Sequence, residues 1–134
     1  MERGRRRHMV AKRYEELETW QLANELKLEV YALIKSGPAS KDFKFCQQIR
    51  ESASSNSKNI AEGFGRFRPG PFAQFVEFAI ASAMETKESL QDGIDRGYFV
   101  PERVARAQAL AVRSIQCSTK LTLYLKRCSR QRRT

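Results

Sequence analysis

The side chains that could do chemistry are few, and their spacing argues against catalysis. The chain holds one histidine, His8, and three cysteines, Cys46, Cys117 and Cys128. A zinc site needs nitrogen or sulfur ligands at close spacing, and there is no CxxC pair to begin one. A two-metal bundle site needs carboxylates plus a Glu-x-x-His on facing helices, which a lone His8 outside every helical segment does not supply. The same shortage removes histidine-ligated haem and a Cys–His nucleophile. No glycine-rich phosphate loop follows a strand pattern. The expectation is no enzyme, no metal, no cofactor and no small-molecule substrate. An odd number of widely spaced cysteines fits a reducing cytoplasm, with Cys46 as a small core residue on an apolar stripe.

Anion chemistry is better supplied. Net charge is +10, but residues 1–13 carry +5, residues 120–134 carry +6, and the body between them is −1. Basic ends on a neutral body point to a polyanion such as RNA, DNA or a ribosome. The candidate contacts are Arg5, Arg6, Arg7, Lys12 and Arg13 at one end, and Lys126, Arg127, Arg130, Arg132 and Arg133 at the other. Met9 is an alternative start, which would place residues 1–8 upstream of the native chain. Between the ends, Arg66 and Arg68 alternate with Phe64 and Phe67 in a Gly/Pro loop. Such a loop can stack and neutralise single-stranded nucleic acid, or its rings can close a bundle end. Glu62 and Arg66 stand in the favourable i,i+4 order for a helical ion pair, the structural alternative to a phosphate contact by Arg66.

Four segments with helical periodicity must position these groups, and none shows strand alternation. They are expected near residues 19–36, 41–63, 71–96 and 101–126. Trp20, Ala23, Leu26, Val30, Leu33 and Ile34 form the first inner stripe. Cys46, Ile49, Ala53, Asn56, Ile60 and Phe64 form the second. Phe72, Phe75, Val76, Ala79, Ala83 and Leu90 form the third, and Val104, Ala107, Ala111, Ile115, Ser118, Leu121 and Leu125 the fourth. Ser40 is the expected N-cap of the second helix, and Gly97 the left-handed stop of the third. Asn56, on a buried stripe, would fix helix register. Short loops favour an all-α, antiparallel up-down-up-down four-helix bundle over residues 14–127. A basic flexible arm (1–13) would precede it and a basic tail (128–134) would follow. No apolar run reaches the roughly 18 residues of a membrane span, and the N-terminus lacks the apolar stretch of a secretory signal.

Some apolar residues fall off these stripes. Leu28, Phe78, Ile80 and Met84 lie well away from the core faces, with Val112 and Leu123 beside the fourth stripe. Their clustering at helical spacing predicts a second buried interface, and hence a homo-oligomer.

Two stretches resemble a known family. Trp20-Gln21-Leu22-Ala23 with Val30-Tyr31, and Gln48-Ile49-Arg50 followed by Asn59-Ile60-Ala61-Glu62-Gly63-Phe64-Gly65-Arg66, look like the bacterial four-helix bundle proteins encoded in 23S rRNA intervening sequences. Gly97-Tyr98 fits as well. Asn59, Glu62, Gly63, Gly65 and Arg66 carry the most specific motif. Asn56-Ser57 departs from the family's apolar-proline pair, and Lys87 replaces the mate of Glu85. The resemblance, over roughly residues 15–126, implies a left-handed bundle that assembles as a ring-like homopentamer without known catalysis. The leading expectation is an accessory protein that binds RNA or a ribonucleoprotein through basic termini. The alternative is a protein-binding adaptor.

Overall fold

Proline and glycine punctuate the chain at the helix junctions. The computed structural model describes residues 11–133, with side chains for residues 11–131. Four helices fill it: α1, Glu18–Ile34; α2, Phe43–Phe64; α3, Pro69–Asp95; and α4, Pro101–Arg133. There is no strand among the described residues. Short 3-10 turns, Tyr14–Glu16 and Pro38–Lys41, precede α1 and α2. Each helix packs on its neighbours in sequence, and α1 closes the ring against α4. The architecture is the antiparallel four-helix bundle that the periodicity predicts.

The starts and stops have local causes. Gly37 (φ 76°) turns the chain after α1, and Gly97 (φ 78°) takes the left-handed position after α3. Both conformations suit a residue without a Cβ. The N-cap of α2 differs from expectation. Asp42 accepts the Phe45 N–H at 3.1 Å, while Ser40 lies in the preceding turn and donates to the Gly37 carbonyl at 2.6 Å. Asp42 also receives the Tyr98 hydroxyl and pairs with Arg96 at 3.6 Å. The Tyr98 bond and then the Phe45 N–H hold its carboxyl below the usual range. This latch ties the α3–α4 turn to the head of α2. At the far end α4 runs to Arg133, beyond the expected stop at 126, so residues 128–133 continue a helix rather than hang as a tail.

The core is apolar at both ends and polar in the middle. Leu26, Val30, Ile49, Ala53, Leu90, Val104 and Ala111 are fully sealed. Ala23, Ile60, Ala79 and Val76 are buried nearer the other end, with Leu125. Interleaved with them are Thr19, Ser52, Asn56, Thr86, Ser114 and Ser118, all buried. Ser52 Oγ meets Thr86 Oγ1 at 2.8 Å, and Asn56 Nδ2 donates to Ser114 Oγ at 3.2 Å. Asn56 Oδ1 has no hydrogen-bond partner among the described residues, a cost that the amide's register-setting bond must offset. Small serine and threonine side chains let the helices approach closely here. Trp20, Phe64, Phe72, Phe75, Ile115 and Leu121, expected as core, are only partly buried.

Candidate nucleic-acid interface

An up-down-up-down chain of four helices has to place the start of α1, the α2–α3 loop and the end of α4 at one end of the bundle. Packing confirms the meeting. Ala11, Tyr14 and Trp20 lie against a cluster of Leu17, Ala23, Ile60 and Ala79, together with Phe64 and Phe72. Phe72 also packs with Ala73, Val76, Leu121, Tyr124 and Leu125. A cleft of about 350 Å³ between α3 and α4 is lined by Gly70, Gln74, Glu77, Lys126, Ser129 and Arg130. Lys12 and Arg13, just before α1, and the basic last turns of α4, more than 100 residues further on, are thereby brought to the same end as the arginines of the loop.

The motif residues hold that loop in place. Gly63 is buried where α2 meets α3; a Cβ there would lie 2.7 Å from Phe75 Cβ and 2.8 Å from Phe72 Cδ1. Asn59 Nδ2 donates to the Ser55 carbonyl at 2.8 Å and to Ser55 Oγ at 3.0 Å. Arg66 pairs with Glu62 at 2.9 Å, and its guanidinium lies 4.8 Å from the Phe75 ring centre. Exposed pairs of this kind contribute about 0–1 kcal/mol, so their role is to orient the turn. Gly65 is different. It has an ordinary helical conformation (φ −69°), and the nearest atoms to a Cβ are its own helix's carbonyls at 3.5 and 3.7 Å.

The candidate cations divide into engaged and free. Arg66 is occupied as described, Lys126 pairs with Glu77 at 2.8 Å, and Arg13 approaches Glu16 at 3.9 Å. Lys12, Arg68, Arg127 and Arg130 are exposed, and none has an ion pair among the described residues. Arg127 and Arg130 stand in the last turns of α4, where the negative end of the helix dipole favours cations. Arg5, Arg6 and Arg7 lie outside the described residues, as do the side chains of Arg132 and Arg133. The opposite end of the bundle is nearly balanced: Lys35, Lys41, Lys44, Arg96 and Arg103 stand among Asp42, Asp92, Asp95 and Glu102. Arg96 there is tied to both Asp92 and Asp42.

Phe67 is the residue whose conformation sequence reasoning missed. It is the one non-glycine with positive φ (59°) among the described residues, and it is 82% exposed. A bulky side chain in the left-handed region costs roughly 1–2 kcal/mol. Neighbouring Phe64 is half-buried and stacks edge-on against Phe72, closing the bundle end as one of the two sequence readings had it.

The off-core apolar residues are largely where periodicity puts them. Leu28, Phe78 and Met84 are about half exposed, and Val112 and Leu123 on α4 are exposed too. Ile80 is partly buried, yet it joins none of the core clusters. Met84 and Val112 line an open groove of about 470 Å³ between α3 and α4.

The thiols are unpaired. Cys46 donates to the Ala39 carbonyl at 3.1 Å, and burial pushes its thiol up. Burial, and then Glu18, do the same to Cys117. Among the described residues no three His, Cys, Asp or Glu side chains could hold a metal ion, and no helix is long and apolar enough to cross a membrane.

Residues 15–120 match the family model described as 23S rRNA-intervening sequence protein. The match spans α1 to the middle of α4, including the whole α2–α3 junction. No curated protein matches the chain.

Proposed function

The chain belongs to the 23S rRNA-intervening sequence protein family, and we propose that it is a noncatalytic, homo-oligomeric bundle of the cytoplasm that binds RNA or ribonucleoprotein through one end. The observation that carries this reading is the meeting of the start of α1 and the end of α4 with the α2–α3 loop. Arg68, Arg127 and Arg130 are exposed there without an ion pair among the described residues, and Lys12 and Arg13 stand at the same end, just before α1. Unpaired guanidinium groups are well suited to phosphate oxygens, and releasing condensed counterions supplies the driving force. Little sequence specificity is expected, because point charges position a backbone without reading bases.

The test is a titration of labelled RNA at about 50 and 200 mM salt. If four phosphates are neutralised, affinity should fall roughly 50-fold between the two. Deleting residues 1–10 removes Arg3, Arg5, Arg6 and Arg7 but leaves Ala11 on the core; it should weaken binding and flatten the salt dependence. Absence of binding at low salt would count against the reading.

Assembly belongs to the same proposal. The exposed Leu28, Phe78 and Met84 favour contact with further copies, and the family resemblance implies five. Several copies would multiply weak contacts through avidity. Met84→Glu should reduce the mass seen by light scattering to that of a monomer, with helical circular dichroism retained, because burying an unpaired carboxylate at an interface is costly. A wild-type mass that is already monomeric, or a Met84→Glu variant with unchanged oligomer mass, would refute this interface.

A further inference from the structure

We propose that Phe67 is a stacking platform for an unpaired base, so that the basic end takes single-stranded nucleic acid with a contact that duplex cannot make. The inference rests on the polyanion reading above and narrows its ligand. The fold does not explain a phenylalanine at this position. Its ring is 82% exposed and belongs to none of the core clusters, and its backbone is held at φ 59°, where glycine or asparagine would be unstrained. Strain kept at an exposed aromatic is a pattern of sites that touch a partner.

The ring is presented on a fixed turn. Gly65, Arg66 and Phe67 donate their N–H groups back to the carbonyls of Ala61, Gly63 and Phe64 at 3.2, 3.1 and 3.3 Å. Arg66 is pinned between Glu62 and Phe75, and Pro69 fixes the start of α3. Phe64 backs the ring at 6.4 Å between centres. The residue is otherwise open to solvent: the exposed Arg68 follows it directly in sequence, and Gly70, two residues further on, lines a cleft with Arg130. An aromatic face beside free arginines suits an unstacked base with its flanking phosphates. In a duplex the base faces are already stacked and out of reach.

The test compares the full chain with Phe67→Leu and Phe67→Trp on an oligouridylate and on an RNA duplex of equal length. Leucine keeps the apolar bulk and loses the aromatic face. Phe67→Leu should weaken oligouridylate binding about tenfold and duplex binding less than about twofold, while Phe67→Trp binds oligouridylate at least as well as wild type. Adding oligouridylate should quench the fluorescence of the new tryptophan beyond the Trp20 background seen in the wild-type protein. Circular dichroism and light scattering on the same samples check folding and mass. If both RNAs bind and Phe67→Leu is without effect, or weakens both equally, the stacking role is overturned while the polyanion reading stands. If Phe67→Leu changes the oligomer mass, the ring belongs to a contact between copies and the proposal is again overturned. If neither RNA binds the wild-type protein, both readings fall.

Discussion

Gly63→Val should destabilise the bundle by about 3 kcal/mol and lower its melting temperature by roughly 10 °C. The Cβ alone would stand 2.7 Å from Phe75 Cβ and 3.2 Å from the Phe72 carbonyl oxygen, so relief requires α2 and α3 to move apart. The valine methyls add to the crowding, and β-branching is a poor helix choice. Helix propensity alone would still favour valine over glycine by roughly a few tenths of a kcal/mol, so the sign of the effect is a real test of the packing. Gly65→Ala is the internal control. Nothing lies closer than 3.5 Å to its Cβ position, and its φ is already helical, so its melting temperature should stay within about 2 °C of wild type. Thermal melts followed by circular dichroism decide it. Equal behaviour of the two variants would mean that close helix approach does not explain the motif's first glycine. The effect would reach function too, because the same approach sets Arg66 over Phe75 and so aims Phe67 and Arg68.

Much of the bundle was legible because helical burial leaves a periodic trace. Ala23, Leu26 and Val30, then Ile49, Ala53 and Ile60, recur at three, four and seven residues, and the structure buries them all. Local chemistry was harder. Ser40 and Asp42 are both good caps, and only the extra turn over Pro38–Lys41, with Tyr98 arriving from the α3–α4 turn, makes Asp42 the one that caps. The end of α4 was missed because its last residues are basic and have no apolar stripe; periodicity falls silent where a helix projects past the core. The polar middle was half visible. Asn56 stood on a stripe, but Ser52, Thr86 and Ser114 are small polar residues that sequence alone assigns equally well to a solvated face.

For the candidate site, residue types were readable and their meeting was not. The sequence marks two basic ends and an arginine loop as separate features; antiparallel topology makes them one. The sequence offers Glu62 as an i,i+4 partner for Arg66, with a phosphate contact by Arg66 as the alternative. The structure makes that ion pair, adds the Phe75 ring that the sequence did not indicate, and leaves Arg68 without an ion pair among the described residues. Phe67 was legible as a ring among arginines, but its conformation gave no signal, since a positive φ at a phenylalanine runs against every local preference.

Charge placement, rather than total charge, is the central claim, and one paired comparison tests it most directly. The triple variant Arg68→Ser/Arg127→Ser/Arg130→Ser removes three exposed cations from the end where the start of α1, the α2–α3 loop and the end of α4 meet. Lys35→Ser/Lys41→Ser/Arg103→Ser removes three exposed cations from the opposite end, leaving the same net charge. All six positions are exposed, so neither variant should unfold the bundle. Labelled single-stranded RNA titrated with both at about 50 mM salt should bind the first roughly 100-fold more weakly than wild type, with its salt slope reduced by about 2, and the second within about threefold of wild type. Equal weakening by the two variants, or a greater loss from the second, would contradict the account.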